Sequence, residues 1–296
     1  TPLSTAMFSV RYMLSDNPME ADMFKTYVGS ENGNYLYRNN YCLPLGFMMD
    51  EDAIQAWTDS SAGRTGSLNA LATALGCEEN MISTVDCKTE AVEGDTSIDI
   101  PEDGYYYADY TTCNSDSLNV NRNDGWNMNY SKTTHRYLLG LGKCKAGDRI
   151  HISNTNMETI YFSVYKLNMD VVEQCYHTLN RQTMELTSMT DRSVEGTVDV
   201  KEAGRLVLSI PADAGWTLYV DGKETEITPL ADALIGVHLT EGAHTIRLHY
   251  TTPGLKAGAA ISGGAIALFA LSMLLVRRRR RVERVRESVE ENTGEV

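Results

Sequence analysis

Six aromatic side chains, Tyr105, Tyr106, Tyr107, Tyr110, Trp126 and Tyr130, crowd one stretch of the chain around an Asn- and Asp-rich run from Asn119 to Asn129. Flat rings beside amides suit sugars, because C–H groups pack on a ring face while amides take the hydroxyls. Alternate tyrosines of any strand turn inward, so half of this set belongs to a core. Trp126, Tyr107 and Tyr130 are the candidate glycan contacts. The six cysteines, Cys42, Cys77, Cys87, Cys113, Cys144 and Cys175, allow fifteen complete disulfide pairings in an exported domain. Proximity favours Cys77/Cys87 and Cys113/Cys144, with buried free thiols as the alternative.

Other chemistry finds less support. No C-x-x-C spacing marks a zinc or redox site. His238, His244 and His249 lie in neighbouring extended runs, but His244 and His249 are an odd number of residues apart and point to opposite faces of one strand. Asp95 with Asp99, or Asp103 with Asp109, could serve as the acid and base of a glycosidase. Their spacing singles out neither pair from a solvated acidic surface. No nucleophile elbow, P-loop or dinucleotide fingerprint occurs, and Gly140-Leu141-Gly142 is too short to be one. No metal or cofactor is expected, and no catalytic residue is assigned within the chain.

The formal net charge is −14, from 26 basic and 40 acidic residues, and the last twenty positions hold seven Arg against five Glu. The body is therefore acidic and the tail basic. An acidic body repels phosphate backbones, which excludes nucleic acid as a partner.

Ala257 to Val276 contains no charged side chain. Some 20 helical residues at ~1.5 Å each match the ~30 Å hydrocarbon layer, so residues 256–276 read as a transmembrane helix in a lipid bilayer. The run Arg277 to Arg281 places the tail, residues 277–296, in the cytoplasm and everything before Lys256 outside. The opening Thr1-Pro2-Leu3-Ser4 shows no export signal, so the expectation is an upstream segment that performs export. That segment is a signal peptide or a set of earlier membrane helices. Small residues four apart, Gly258/Ser262, Ala259/Gly263 and Ala260/Gly264, favour partner helices of the same protein.

The elements that must position these residues are mainly β. Ala6 to Leu14 reads as a strand, and Ile54, Trp57, Leu68, Leu71, Ala72 and Leu75 as one or two helices ending at Gly76. From about Val92 the period becomes two, broken by turns, as in tandem β-sandwich (jelly-roll or Ig-like) modules. The resulting division is a mixed entry region with a helical insert (1–90), a first sandwich (91–168), a helical linker (169–182) and a second sandwich (183–253). Val92-Glu93-Gly94 and Val194-Glu195-Gly196 open similar successions, which suggests that the two modules are related. Asp221-Gly222 marks a tight hairpin turn.

The run Ser209-Ile210-Pro211-Ala212-Asp213-Ala214-Gly215-Trp216, continuing through Asp221-Gly222-Lys223 and Tyr250-Thr251-Thr252-Pro253-Gly254-Leu255, resembles the C-terminal end of YfhO-family bacterial membrane proteins. Val10-Arg11-Tyr12-Met13-Leu14-Ser15 and Leu43-Pro44-Leu45-Gly46-Phe47 resemble the stretch after that family's membrane helices. The family usually has Tyr and Lys around the Asp before Gly-Trp, where this chain has Ala212 and Ala214, so no role is carried over to these positions. The resemblance implies a multi-pass protein similar to polyprenyl-phosphate-dependent (C-type) glycosyltransferases. These move a sugar from a lipid carrier to an envelope polymer, such as lipoteichoic acid, on the outer face. Their catalytic acid lies in an early loop between membrane helices, upstream of this chain. The implied partners are upstream helices and a lipid-linked sugar or envelope glycan. The alternative is a non-enzymatic, membrane-anchored carbohydrate-binding or scaffold module.

Overall fold

The computed structural model describes residues 1–19, 21–59, 61–86, 95–110, 117–131, 138–154 and 161–293. The chain opens with α1 (Pro2–Met7) and a sheet of β1 (Tyr12–Ser15), β2 (Lys25–Glu31) and β3 (Asn34–Asn39) in the order β1-β3-β2. The strand expected from Ala6 thus begins only at Tyr12. Thr1 caps the preceding turn and Pro2 stands in its first turn, and both features favour a helix start. Next come β4 (Gly46–Met49), α2 (Glu51–Thr58), α3 (Gly63–Ala74) and β5 (Ile82–Thr84).

The first sandwich comprises β6 (Asp95–Asp99), β7 (Gly104–Tyr110), β8 (Ser117–Arg122), β9 (Asn127–Ser131), β10 (Leu139–Cys144), β11 (Arg149–Asn154) and β12 (Phe162–Leu167). Its sheets run β6-β11-β8-β9 and β10-β7-β12-β5. After α4 (Met169–Leu179) the second sandwich comprises β13 (Glu185–Met189), β14 (Ser193–Val200), β15 (Gly204–Pro211), β16 (Trp216–Val220), β17 (Lys223–Thr225), β18 (Leu234–Leu239) and β19 (Gly242–Tyr250). Its sheets run β13-β14-β19-β16-β17 and β18-β15-β4.

The two orders share a common set of six strands. The four-strand path β6-β11-β8-β9 has its counterpart in β14-β19-β16-β17, and the pair β10-β7 in β18-β15. Neighbours so distant in sequence require the chain to wrap from sheet to sheet in jelly-roll fashion. The relation between the modules therefore resides in topology. Of the short sequence echo, Val92 to Gly94 lies outside the described residues.

Alternation along the strands explains the layering. In β4, Met48 joins Leu206 and Leu208 inside the second sandwich, while Phe47 and Met49 face the other way with Val207. In β7, Tyr106, Ala108 and Tyr110 fill the first sandwich, while Tyr105 and Tyr107 pack on the opposite side. Both inner sheets thus bury two faces. Between them lies a core formed by α1 to α4. The segment 169–182, read as a linker, is part of this core, with Val171, Val172, Cys175 and Leu179 buried along α4. Residues 1–90 are likewise shared out, since β4 completes one sandwich and β5 the other. Periodicity cannot reveal such non-local pairing, because it reports which face is buried and not against what.

Asp221 and Gly222 both have positive φ (52° and 78°) and join Val220 to Lys223, a two-residue type I′ turn. Asp221 Oδ1 accepts from Thr245 N at 2.8 Å, and its Oδ2 lies 2.7 Å from His244 Nδ1. His244 Nε2 lies 2.9 Å from the Thr240 carbonyl, so a doubly protonated ring satisfies both contacts. The Thr245 amide, then His244, lowers the Asp221 pKa, and the Asp221 hydrogen bond raises that of His244. The His244 contribution to stability is complete below its unfolded value of ~6.5 and is lost as pH rises through the raised folded value. The Asp221 contribution is complete above ~3.9 and is lost as pH falls through the depressed folded value. The denaturant midpoint of the wild type should therefore fall between pH 6 and pH 8, and His244→Gln should flatten that decline. An unchanged slope in the variant would remove the pair from the account.

The chain ends in α5 (Leu255–Thr293). Its segment Leu255–Arg281 contains a stretch long and apolar enough to cross a membrane, with a mean hydropathy of 2.2 over its most apolar 18 residues and no burial of that stretch against the rest of the protein.

Candidate functional site

A cleft of about 420 Å³ opens between the entry sheet and the edge of the first sandwich. Tyr107, Trp126 and Tyr130, separated by up to 23 positions in sequence, all line it. Trp126, Met128 and Tyr130 are spaced two apart and so share one side of the β9 hairpin arm. Tyr107 comes from β7, on the side away from the sandwich interior. Of the remaining tyrosines in the aromatic cluster, Tyr106 and Tyr110 are buried in the first sandwich, and Tyr105 also lines the cleft.

The hairpin is held by Arg122, whose side chain is 10% exposed. Its Nη1 donates to the Lys143 carbonyl at 2.6 Å, tying β8 to β10, and its Nη2 donates to Asp124 Oδ2 at 2.7 Å. Asp124 Oδ1 in turn accepts from Trp126 N at 3.0 Å. The guanidinium lies 5.3 Å from the Trp126 ring centroid, within cation–π range. Burial pulls the Arg122 pKa down, but the hydrogen bonds to Asp124 and Cys144 outweigh it and the net shift is upward. The hydrogen bond from Arg122 depresses Asp124. The indole is thus fixed by a charged pair beside it.

Tyr130 Oη donates to the Gly140 carbonyl at 2.6 Å, which sets its ring across the gap between β9 and β10. A Cβ at Gly140 would lie 3.6 Å from Tyr130 Oη and 3.8 Å from Tyr107 Cε1. Gly140 therefore keeps the floor between the two rings open. Gly142 adopts φ +81° at the bulge where β10 slips against β7, a conformation that favours glycine. Burial, then Tyr130 and Asp22, pushes the Tyr107 phenol up. It remains a neutral hydroxyl, able to donate and accept, throughout the physiological range.

On the opposite wall, Asp22 caps its own turn by accepting from Phe24 N (2.8 Å) and Lys25 N (3.0 Å), and it pairs with Lys25 Nζ. Tyr37 Oη clamps this loop through both the amide and the carbonyl of Met19, each at 2.8 Å. Asn39 donates to the Val10 carbonyl at 2.9 Å. Among the described residues Asp22 is the sole carboxylate lining the cleft.

The other candidates lie elsewhere. Asp103 accepts from Ala146 N and Asp109 holds Arg64, at opposite ends of β7 and ~20 Å apart along the strand, too far for an acid–base pair. Asp99 lies 3.4 Å from Arg149, and the Asp95 side chain is outside the described residues. His238 contacts Glu51 and His244 contacts Asp221, each at 2.8 Å or less. Trp216 packs edge-on against Tyr250 beside the second core. Cys87 and Cys113 are outside the described residues, while Cys77 and Cys144 lie in different cores.

Sequence reasoning missed Arg122, Asp22, Asn39 and the paired glycines. Asp124-Gly125 flanked by Leu118, Val120, Met128 and Tyr130 is the hairpin signal that would have located the site.

Residues 1–262 match the family model described as bacterial membrane protein YfhO. The chain belongs to the YfhO family. That membership, with one helix able to span a bilayer, makes this a YfhO-family membrane protein whose partner is the lipid bilayer. No curated protein matches the chain in sequence. Among solved structures it is similar to a cupin 2 conserved barrel domain protein from Leptotrichia buccalis, at 11% identity and a TM-score of 0.19, over 59% of this chain and 91% of that one. At that score the likeness carries no weight, and the architecture of this YfhO-family chain rests on its own strand pairing.

Proposed function

We propose that this chain is the outward-facing, glycan-holding region of a polyprenyl-phosphate-sugar-dependent glycosyltransferase of the YfhO family. Its cleft holds an envelope polymer over a catalytic centre formed by upstream loops. The observation that carries the reading is the convergence of Trp126, Tyr107 and Tyr130 on one cleft with hydrogen-bonding neighbours. Such a site suits a sugar ligand. The outward placement is supported by Arg277 to Arg281 beside the span.

Two experiments test this. Lys223→Cys, exposed in the β-turn, should react with a membrane-impermeant maleimide on intact cells; protection until lysis would place the domain inside. In vesicles holding the full-length protein and a polyprenyl-phosphate-linked hexose, Trp126→Ala should raise the acceptor KM more than it lowers kcat. Transfer indifferent to Trp126 would contradict the role of the cleft. If no transfer occurs but glycan binding persists, the chain is a membrane-anchored carbohydrate-binding module.

Gly140→Val gives an independent check. The added side chain would occupy the floor between Tyr107 and Tyr130, with its Cβ at ordinary contact distance from both. Affinity for envelope glycan should drop about five-fold or more by titration calorimetry, with Tm nearly unchanged. Undiminished binding would exclude this floor from the site.

A further inference from the structure

Cys77 and Cys175 place their Sγ atoms 3.5 Å apart in the buried helical core. Cys77 follows α3, just after Gly76, and Cys175 sits midway along α4. The other described cysteines have no such neighbour. Cys144 is buried in the first sandwich against the carbonyls of Leu141 and Gly142, and Cys42 contacts the Leu43 carbonyl.

We infer that Cys77 and Cys175 are joined by a disulfide in the mature protein, an inference that rests on the outward placement proposed above. Each thiol gives up one proton and one electron as the S–S bond forms. The pair of electrons reduces the disulfide of an exported thiol–disulfide oxidoreductase to two thiols. Closing the gap to the ~2.05 Å of an S–S bond takes a movement of about 1.5 Å. The bond closes a loop of 98 residues. All of β6 to β12 lies inside that loop, so the cross-link fastens the two ends of the first sandwich to the helical layer and fixes the module that carries the cleft. The antiparallel pairing of β5 with β12 already brings these ends together. Burial pushes the Cys175 thiol far up, so that thiol is a poor nucleophile once folded. The bond therefore forms during folding and persists.

The test uses the full chain in its native membranes. Free thiols are blocked with N-ethylmaleimide at lysis in denaturant, disulfides are then reduced, and the newly freed thiols receive a second label. Cys77 and Cys175 should carry the second label, and an unreduced digest should contain one peptide linking them. Reducing the unfolded chain and refolding it in reductant should lower the wild-type Tm by about 5–10 °C. Cys77→Ser, Cys175→Ser and the double variant should show that same loss, insensitive to reductant. Both residues carrying the first label, or a wild-type Tm unchanged by that reduction and refolding, overturns the disulfide. If Lys223→Cys is labelled from outside in that case, the cross-link alone has failed. If it is protected, the outward placement has failed and the cross-link with it.

Discussion

Replacing Trp126 with Ala should weaken binding to envelope glycan fragments at least ten-fold, while Tm moves by no more than a few degrees. The indole stands on the edge hairpin β8–β9, partly exposed, with its ring beside the Arg122 guanidinium. Such an anchored aromatic, fixed before the ligand arrives, costs little ordering entropy on binding and is the type of residue that dominates interface energetics, at roughly 2 kcal/mol or more. A ten-fold loss corresponds to ~1.4 kcal/mol, a conservative share of that. Asn127, exposed on the other face of the same strand, provides the control: Asn127→Ala should change affinity by less than about two-fold. Calorimetric titration and thermal unfolding of the same samples separate the outcomes. Unchanged affinity, or loss of the thermal transition, would make Trp126 a packing residue.

Phe47→Ala should be the most destabilising single truncation considered, at about 3–5 kcal/mol. Phe47 is fully buried, and it packs on the helical core from β4, whose next residue, Met48, reaches into the second sandwich. The cavity would open at the junction of two layers, where β15 pins β4 in register through Phe47↔Val207. The rigid pairing prevents the strand from collapsing into the void, so both the transfer loss and the cavity loss are felt. Equilibrium urea unfolding should show a shifted midpoint. A loss below about 1 kcal/mol would mean that β4 is peripheral and that the helices and second sandwich are independent units.

What the sequence disclosed and what it withheld divide by the range of the interaction. Local chemistry was legible. Asp221-Gly222 predicts its turn, the stripe of Val171, Val172, Cys175, Tyr176 and Leu179 predicts a helix with one apolar face, and the uncharged run to Val276 predicts the span. Long-range pairing was not. Nothing in Gly46-Phe47-Met48-Met49 announces that it pairs with a strand some 160 residues later, because alternation fixes which faces are buried and leaves the partner open. Ser117 to Arg122 and Leu139 to Cys144 escaped as strands for a different reason. Asn and Gly interrupt them, and β-propensity is low for both.

The site shows the same division. Ring chemistry marked Trp126, Tyr107 and Tyr130, but the facing wall of Asp22, Lys25 and Asn39 belongs to another sheet. Arg122 looked like an ordinary surface charge in sequence. Only the fold shows it as the fixed partner of the indole, buried between Asp124, the Lys143 carbonyl and the ring itself.

The most direct measurement of whether this cleft holds glycan is hydrogen–deuterium exchange on the full chain, with and without soluble envelope-polymer fragments. Binding at the cleft predicts slower exchange confined to the amides of residues 104–110, 122–131 and 139–143, and to the 21–25 loop on the facing wall, and that protection should vanish in Trp126→Ala. Saturable binding with protection elsewhere, or no protection at saturating polymer, would contradict the account.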